Sequence, residues 1–356
     1  MADETVVAVT GVGSYWGGRL ASRLLQEAAV KVIGLDMRAP AVEIPGLDFI
    51  QADVRSPLLG ELLRGEEVGA LCHLDFLGLT ERSEATFEHN VMGAMKVLGA
   101  CAEAGVGRIV VRSSTAVYGA HPDNSAFLTE ETELRGSHRY GYTHDQLEIE
   151  AFCNGFRGQW PDVALTVLRF ANIIGPGADT PMTQFLKLQS PPKLLGFDPL
   201  LQLVHEDDVV EALAFATLNR ASGIFNIAAD DVMPLSRIFR LVRRVPLPVY
   251  HPVAYRGLNL LQGTSLQPLR YVPIEWNYLR YSWVADLSRM RKEFGFAPVY
   301  TAAEALREFA GQRQREEGSD EKERQAYDEQ SLRDLIDRRQ RIRERQASMQ
   351  ETADEA

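Results

Sequence analysis

Residues Thr5 to Asp36 read TVVAVTGVGSYWGGRLASRLLQEAAVKVIGLD, a short apolar run, a turn with spaced glycines, a helix-forming stretch and a second apolar run closed by an acid. Thr5–Thr10 suits a strand buried on both faces. Gly11, Gly13 and Gly17 follow within seven residues, where the backbone must turn sharply and come close to a ligand. Leu20–Ala29 has helical composition, so the turn would aim free N–H groups and a positive dipole end at phosphates. Val30–Leu35 is strand-like again, and Asp36 lies 25 residues after Gly11. A carboxylate there can accept hydrogen bonds from ribose hydroxyls and repels a 2′-phosphate. The segment therefore predicts a dinucleotide site that prefers NAD to NADP.

The same alternation continues. Asp48–Gln51, Ala70–Leu74, Arg108–Arg112 and Ala164–Arg169 read as strands, and Leu58–Arg64, Ala85–Ala104 and Tyr140–Phe156 as helices, with Gly105 and Gly107 ending the second of these helices. This order predicts an α/β chain with a doubly wound parallel sheet. Residues 1–175 would form the dinucleotide-binding core, with returns at about 203–245, including Leu203–Ala216 and Gly223–Ile227. Residues 176–202 and 246–310, rich in proline, would form a smaller C-terminal substrate-binding lobe, and Phe294–Phe309 the last loop and helix. From 311 to 356 the chain is charged and mixed in sign, a disordered or helical tail. Leu332, Leu335, Ile336 and Ile342 could make one thin apolar stripe there, either on a solvated helix or against a partner subunit.

Composition narrows the function classes. A net charge of −11 with no basic stripe argues against nucleic-acid binding. No apolar run is long enough for a membrane span, and MADETVVAV is not a secretory signal. Cys72, Cys101 and Cys153, odd in number and in apolar surroundings, read as reduced cysteines of a cytoplasmic protein. His205, Asp207 and Asp208 invite a metal reading, but a helix start capped by Asp207 fits them better, and no metal is expected.

With these residues in place, the chain resembles the extended short-chain dehydrogenases/reductases, in their NAD-dependent epimerase/dehydratase branch, over roughly residues 5–310. It looks most like bacterial proteins described as possible UDP-glucose 4-epimerases. Thr10-Gly11-Val12-Gly13-Ser14-Tyr15-Trp16-Gly17 matches TGxxGxxG except that Ser14 replaces the middle glycine, a loss that Gly13 would offset. Asp53-Val54 fits the pair that touches adenine. His73-Leu74 fits HLAA, with Asp75-Phe76 in place of two small residues. Asn90-Val91-Met92-Gly93 matches NVxG, Ser113–Gly119 matches SSxxVYG, Arg169–Gly177 matches RxxNxxGPG, and Val204–Val209 matches VHVxDV.

The resemblance implies a Rossmann-type fold and NAD held by Gly11, Gly13, Ser14, Tyr15, Trp16, Gly17, Asp36, Asp53, Val54, Leu74, Asp75, Asn90 and Ser113, together with Tyr140 and His144. Catalysis would fall to Ser114, Tyr140 and His144, and substrate contacts to Ser114, Thr115 and Asn172. Asn172 could equally be a turn-former closing its strand. The family spaces its tyrosine and lysine as YxxxK; here the lysine position is His144. A tyrosine titrates near ~10 and needs a nearby positive charge to act as a base at neutral pH, whereas an ordinary histidine, near ~6.5, is mostly neutral there. Weakened tyrosine chemistry is expected.

On the substrate side, Leu201 stands where these epimerases place a phosphate-clamping arginine, and Arg237, Arg256 or Arg270 would have to compensate. The lobe aromatics Tyr255, Tyr271, Trp276, Tyr278, Tyr281 and Trp283 are either lobe core or the lining of an apolar pocket. Three readings stay open: an NAD-dependent epimerase or dehydratase of a nucleotide sugar, a dehydrogenase of a lipid-like or steroid-like alcohol, and a non-catalytic dinucleotide-binding protein. A homodimer through Ala85–Ala104 and Tyr140–Phe156 is the family expectation.

Overall fold

A computed structural model describes residues 5–77, 83–137, 141–256, 274–317 and 329–344. Tyr140, Arg270 and Tyr271, and the side chains of Tyr255 and Arg256, lie outside what is described. The chain divides into two compact units, Met1–Ala171 with Val209–Ile227 and Ala285–Phe296, and Asn172–Asp208 with Ala228–Val284 and Ala297–Ala356.

The first unit holds β1 (Thr5–Thr10), α1 (Tyr15–Leu24), β2 (Val30–Asp36), β3 (Asp48–Gln51), α2 (Leu59–Gly65) and β4 (Ala70–His73). After these come α3 (Glu84–Phe87), α4 (Gly93–Ala104), β5 (Arg108–Ser114), α5 (Gly141–Gln159) and β6 (Ala164–Phe170). Strand β10 (Gly223–Ile227) completes a seven-stranded sheet in the order β10-β6-β5-β4-β1-β2-β3, with every pair parallel. This is the doubly wound Rossmann order expected from the sequence, and its order reverses beside β1, where such sheets leave a crevice. Ala8, Leu35, Leu71, Ile109 and Val111 pack with Val97, Leu98 and Cys101 of α4 in one buried cluster. Each fully buried aliphatic chain of this kind stabilises by roughly 1.5–3 kcal/mol. All three cysteines are buried and unbridged.

Two helices differ from expectation. The first begins at Tyr15, five residues before the helical composition becomes evident, because Ser14 caps it and Gly17 and Gly18 belong to its first turn. The stretch expected as one helix over Ala85–Ala104 is α3, a π-helical turn at Glu88–Met92, and α4, which ends on Gly105 in the left-handed conformation (φ 81°). Such wide turns inside helices occur often at functional sites.

The second unit holds β7 (Asn172–Ile174), α6 (Pro181–Lys187), β8 (Pro192–Leu194) and β9 (Leu200–His205). Helix α7 (Glu206–Leu218) starts here and runs on as part of the first unit's sequence. The rest is β11 (Val232–Pro234), α8 (Leu235–Leu241), β12 (Leu247–Val249), α9 (His251–Arg256), α10 (Ala302–Glu317) and α11 (329–344). Its strands form a β11-β9-β7 sheet and a β12-β8 pair. The expected return to the core at Leu203 is therefore corrected: Leu203–His205 pairs with β7, and the return begins at Val209. No helix among the described residues is long and apolar enough to cross a membrane.

Candidate active site

The glycine loop shows why each small residue is needed. Gly11 sits at φ 71°, and a Cβ on it would lie 2.6 Å from the Asp75 backbone nitrogen. On Gly17 a Cβ would lie 2.1 Å from the Gly11 carbonyl oxygen, a clash no side chain can relieve. Ser14 needs no such freedom. Its backbone is extended (φ −83°, ψ 164°), and its hydroxyl accepts the Gly17 N–H at 3.2 Å, so serine replaces glycine at no strain and caps α1. Asp36, buried at the end of β2, accepts the Gly13 N–H (3.0 Å) and the Arg38 N–H (2.8 Å) on its two oxygens. Asp53 is paired with Arg55 (2.7 Å), whose hydrogen bonds pull its pKa to about 2. Val54 and Leu74 are buried, and the Leu74 N–H donates to the Thr10 hydroxyl, which also contacts His73 Nδ1 at 2.8 Å.

The two bulky departures from HLAA are absorbed locally. Phe76 lies edge-on to His73 (4.7 Å), and the Arg112 guanidinium stands 5.8 Å from the rings of both Phe76 and Trp16. Asp75 contacts His89 Nε2 at 3.1 Å, from within the π-helical turn. Tyr15 is 40 % exposed, and its hydroxyl accepts from Arg19.

At the end of β5 the Ser114 hydroxyl accepts the Ala116 N–H (3.2 Å), opening a 3-10 turn over Thr115–Tyr118 in which Thr115 is buried. Ser113 faces the other way, and its hydroxyl donates to Glu150. His144 is buried on α5, with Nδ1 3.7 Å from Asp145 and Nε2 3.9 Å from Glu148. Asp145 is itself fixed by the Asn90 amide nitrogen (2.9 Å), while the Asn90 amide oxygen accepts the Leu77 N–H (2.8 Å). Asn90 thus ties the π-helical turn to the residue beside His144.

In the second unit, Asn172 donates its amide to the Gln202 carbonyl (3.0 Å). Leu201 is buried in β9 opposite Met233, so an aliphatic residue packs where the family's arginine was expected. Arg237 is exposed on α8. Trp276, Tyr278 and Trp283 are buried, and Tyr278 meets Trp283 edge-on at 4.8 Å, so these described aromatics are core. The cap on α7 is also corrected. Asp207 lies in the first turn, and its own N–H is capped by His205 Nδ1 (3.1 Å). No cluster of metal-ligating residues occurs among the described residues.

The model of the NAD dependent epimerase/dehydratase family matches residues 7–228. The chain belongs to that family. An uncharacterized protein of Mycobacterium tuberculosis is 35% identical over 313 residues, covering 85% of this chain and 83% of its own. Among solved structures, UDP-glucuronic acid 4-epimerase from Bacillus cereus, in complex with NAD and UDP-4-deoxy-4-fluoro-glucuronic acid, superposes with a TM-score of 0.67 at 17% identity, over 87% of this chain and 99% of that one. UDP-glucose 4-epimerase from Thermotoga maritima, with UDP-glucose, gives 0.66 at 17%, over 88% and 99%. These likenesses carry the fold.

NAD is the family's cofactor, and the loop fits it: Gly11 and Gly17 leave backbone where any side chain would stand, and Asp36 holds a carboxylate beside them. Sequence reasoning missed Arg112, His89, Asp145 and Glu150. For the first two a signal existed, because Asp75 and Phe76 at ordinarily small positions demand new neighbours.

Proposed function

We propose that this chain is an NAD-dependent epimerase or dehydratase of a nucleotide sugar, UDP-glucose 4-epimerase-like in its chemistry. The observation that carries the reading is the set of Ser114, at the end of β5, and His144, buried on α5 beside Asp145, which Asn90 holds in place. The UDP-sugars bound by the similar solved structures support the substrate class. Bound NAD supplies a hydride acceptor that can return what it takes. Tyr140 removes the proton from the substrate hydroxyl, and Ser114 donates a hydrogen bond to the oxygen as it gains carbonyl character. His144 occupies the lysine's place four residues after Tyr140 in the sequence and supplies a ring nitrogen toward the cofactor ribose. Asn172, on the substrate edge of the second unit, contacts the sugar nucleotide, and the chain works as a cytoplasmic homodimer.

Leu201 favours a second reading, a dehydrogenase of a lipid-like alcohol, because no fork-shaped donor stands there to clamp a diphosphate. Incubating the protein with NAD and UDP-glucose, and following UDP-galactose by chromatography and NADH by absorbance, separates the two. UDP-galactose formed without net NADH supports the first. NADH from an apolar alcohol, with no change in any UDP-sugar, replaces it with the second. NAD binding without turnover of either leaves a dinucleotide-binding protein.

A further inference from the structure

Helix α11 is held to the second unit by charge. Asp334, Arg338 and Arg341 recur at spacings that share one helix face. The Asp334 carboxylate takes a two-pronged pair from Arg307 (2.6 and 2.7 Å) and is buried. Arg341 reaches both oxygens of buried Glu304 (2.8 and 2.7 Å) and the Val299 carbonyl (3.3 Å). Arg338 pairs with Glu308 (3.3 Å) and stands over the Tyr300 ring at 4.0 Å. Leu332 and Ile336 point outward, 57 % and 55 % exposed, so the expected apolar stripe is split and does not form the seam. A helix added only for bulk stability would bury those two residues.

The charged seam leads to the VHEDD turn. Tyr300 stacks on His205 (3.7 Å, 10° between planes), and its hydroxyl donates to Asp207 (2.8 Å). His205 Nδ1 accepts the Asp207 N–H, which leaves the hydrogen on Nε2, 3.2 Å from Glu308. Burial pushes the Glu308 carboxyl up, but His205 and Arg338 outweigh it and hold it below the usual range. Asp208 accepts the Val299 and Tyr300 N–H groups (2.8 and 3.0 Å). His205 ends β9, opposite Ile174 of β7, and the next residue, Glu206, accepts the Gly177 N–H at 3.1 and 3.2 Å. A Cβ on Gly175 would lie 2.3 Å from the Glu206 side chain, so the Gly175–Gly177 loop and this turn are in close packing. One connected set of contacts thus runs from Arg338 through His205 to the strand that carries Asn172.

We propose that Arg338 is a positioning residue for the substrate edge. By holding Tyr300 and Glu308 against His205, it sets the place of β9 against β7, and with it Asn172 and the Gly175–Gly177 loop. The inference rests on the reading of that edge as the nucleotide-sugar contact.

The test uses the full chain with NAD and UDP-glucose as probes. In Arg338→Ala, calorimetry is expected to show UDP-glucose binding weakened by roughly tenfold, within the usual range of coupling between linked sites, with NAD affinity unchanged. Hydrogen exchange should quicken at 172–177 and 205–208 as well as in 329–344. Arg338→Lys keeps the charge but loses the planar stack, and should fall between the two. Should Arg338→Ala fold poorly, Asp334→Asn, which loosens α11 at its other end, should move the same readouts in the same direction. Faster exchange confined to 329–344, with 172–177 and UDP-glucose affinity unchanged, overturns the proposal. If the native protein binds no UDP-glucose, the nucleotide-sugar reading fails, and exchange at 172–177 alone decides whether Arg338 positions this edge.

Discussion

Arg169 and Glu150 form an ion pair with almost no solvent exposure, in which Arg169 Nε lies 3.1 and 3.0 Å from the two carboxylate oxygens. Around it, Arg169 also donates to the Tyr118 hydroxyl (2.8 Å) and the Glu130 carbonyl (3.1 Å), and Tyr118 donates to Asn226 (2.7 Å). The arginine of RxxN, the tyrosine of VYG and Ser113 therefore belong to one buried network under the site. Removing one partner of such a pair strands a charge and costs ~3–5 kcal/mol, whereas replacing both with apolar groups can be close to neutral. Glu150→Ala should therefore lose about that much in urea unfolding, and Glu150→Leu with Arg169→Met should recover much of it. A double variant no more stable than the single would show that the network, not the pair, holds the stability.

His73 makes stability pH-dependent. Burial lowers its pKa to about 4 in the folded chain, against ~6.5 when unfolded. Between those values the unfolded chain binds a proton that the folded one refuses, so stability falls as the pH drops from about 6.5 toward 4, by on the order of 3 kcal/mol. Asp208 acts with the opposite sign: burial raises it to about 6, so its contribution is lost as the pH rises from about 4 through 6. The measurement is therefore the difference between native and His73→Gln denaturation curves, which should narrow as the pH falls through this window. A pH-independent difference removes His73 from the account.

The glycine loop separates backbone need from side-chain choice. Gly17→Ala places a methyl 2.1 Å from the Gly11 carbonyl and should abolish NAD binding by calorimetry. Ser14→Gly restores the more usual family residue, retains binding and costs only a few tenths of a kcal/mol. Ser14→Ala loses the cap and about 1 kcal/mol. Equal NAD affinity in Gly17→Ala and the native chain would refute the assigned loop.

His144→Lys tests the atypical site. Asp145 and Glu148 already lie within 4 Å of the ring nitrogens, so an introduced ammonium has partners. A fixed charge that makes the tyrosine one pH unit more acidic raises its ionised fraction about tenfold, and turnover of UDP-glucose should rise by a similar factor. Tyr140→Phe in the same background should return turnover to zero. No gain from the lysine would assign His144 a role other than a weakened substitute.

Much of this was legible in the chain because parallel strands buried on both faces declare themselves as apolar runs; β1 begins and ends where the sequence places it, and so does β3, although this edge strand is only half-buried or exposed. Helix starts were harder. Ser14 and the glycines read as loop, yet the cap draws Tyr15 and Gly17 into α1, and tertiary fit outweighs glycine's poor propensity. The π-helical turn had no sequence mark, because its cause lies in Asn90 and His89 reaching Asp145 and Asp75, both distant in the chain. Ser113 illustrates the limit of motif transfer: its position matched, but only the fold shows its hydroxyl turned to Glu150.

The wide turn at Glu88–Met92 has one more implication, for evolution by insertion and deletion. Dropping a single codon there would close the turn into ordinary α-helix and leave every later side chain of α4 in phase, because such a turn is an α-helical one carrying one extra residue. Val97, Leu98 and Cys101 would stay in the core, while the tie from Asn90 to Asp145 would be lost. The core therefore tolerates a shorter stretch, and it is the contacts of His89 and Asn90 that require the extra residue.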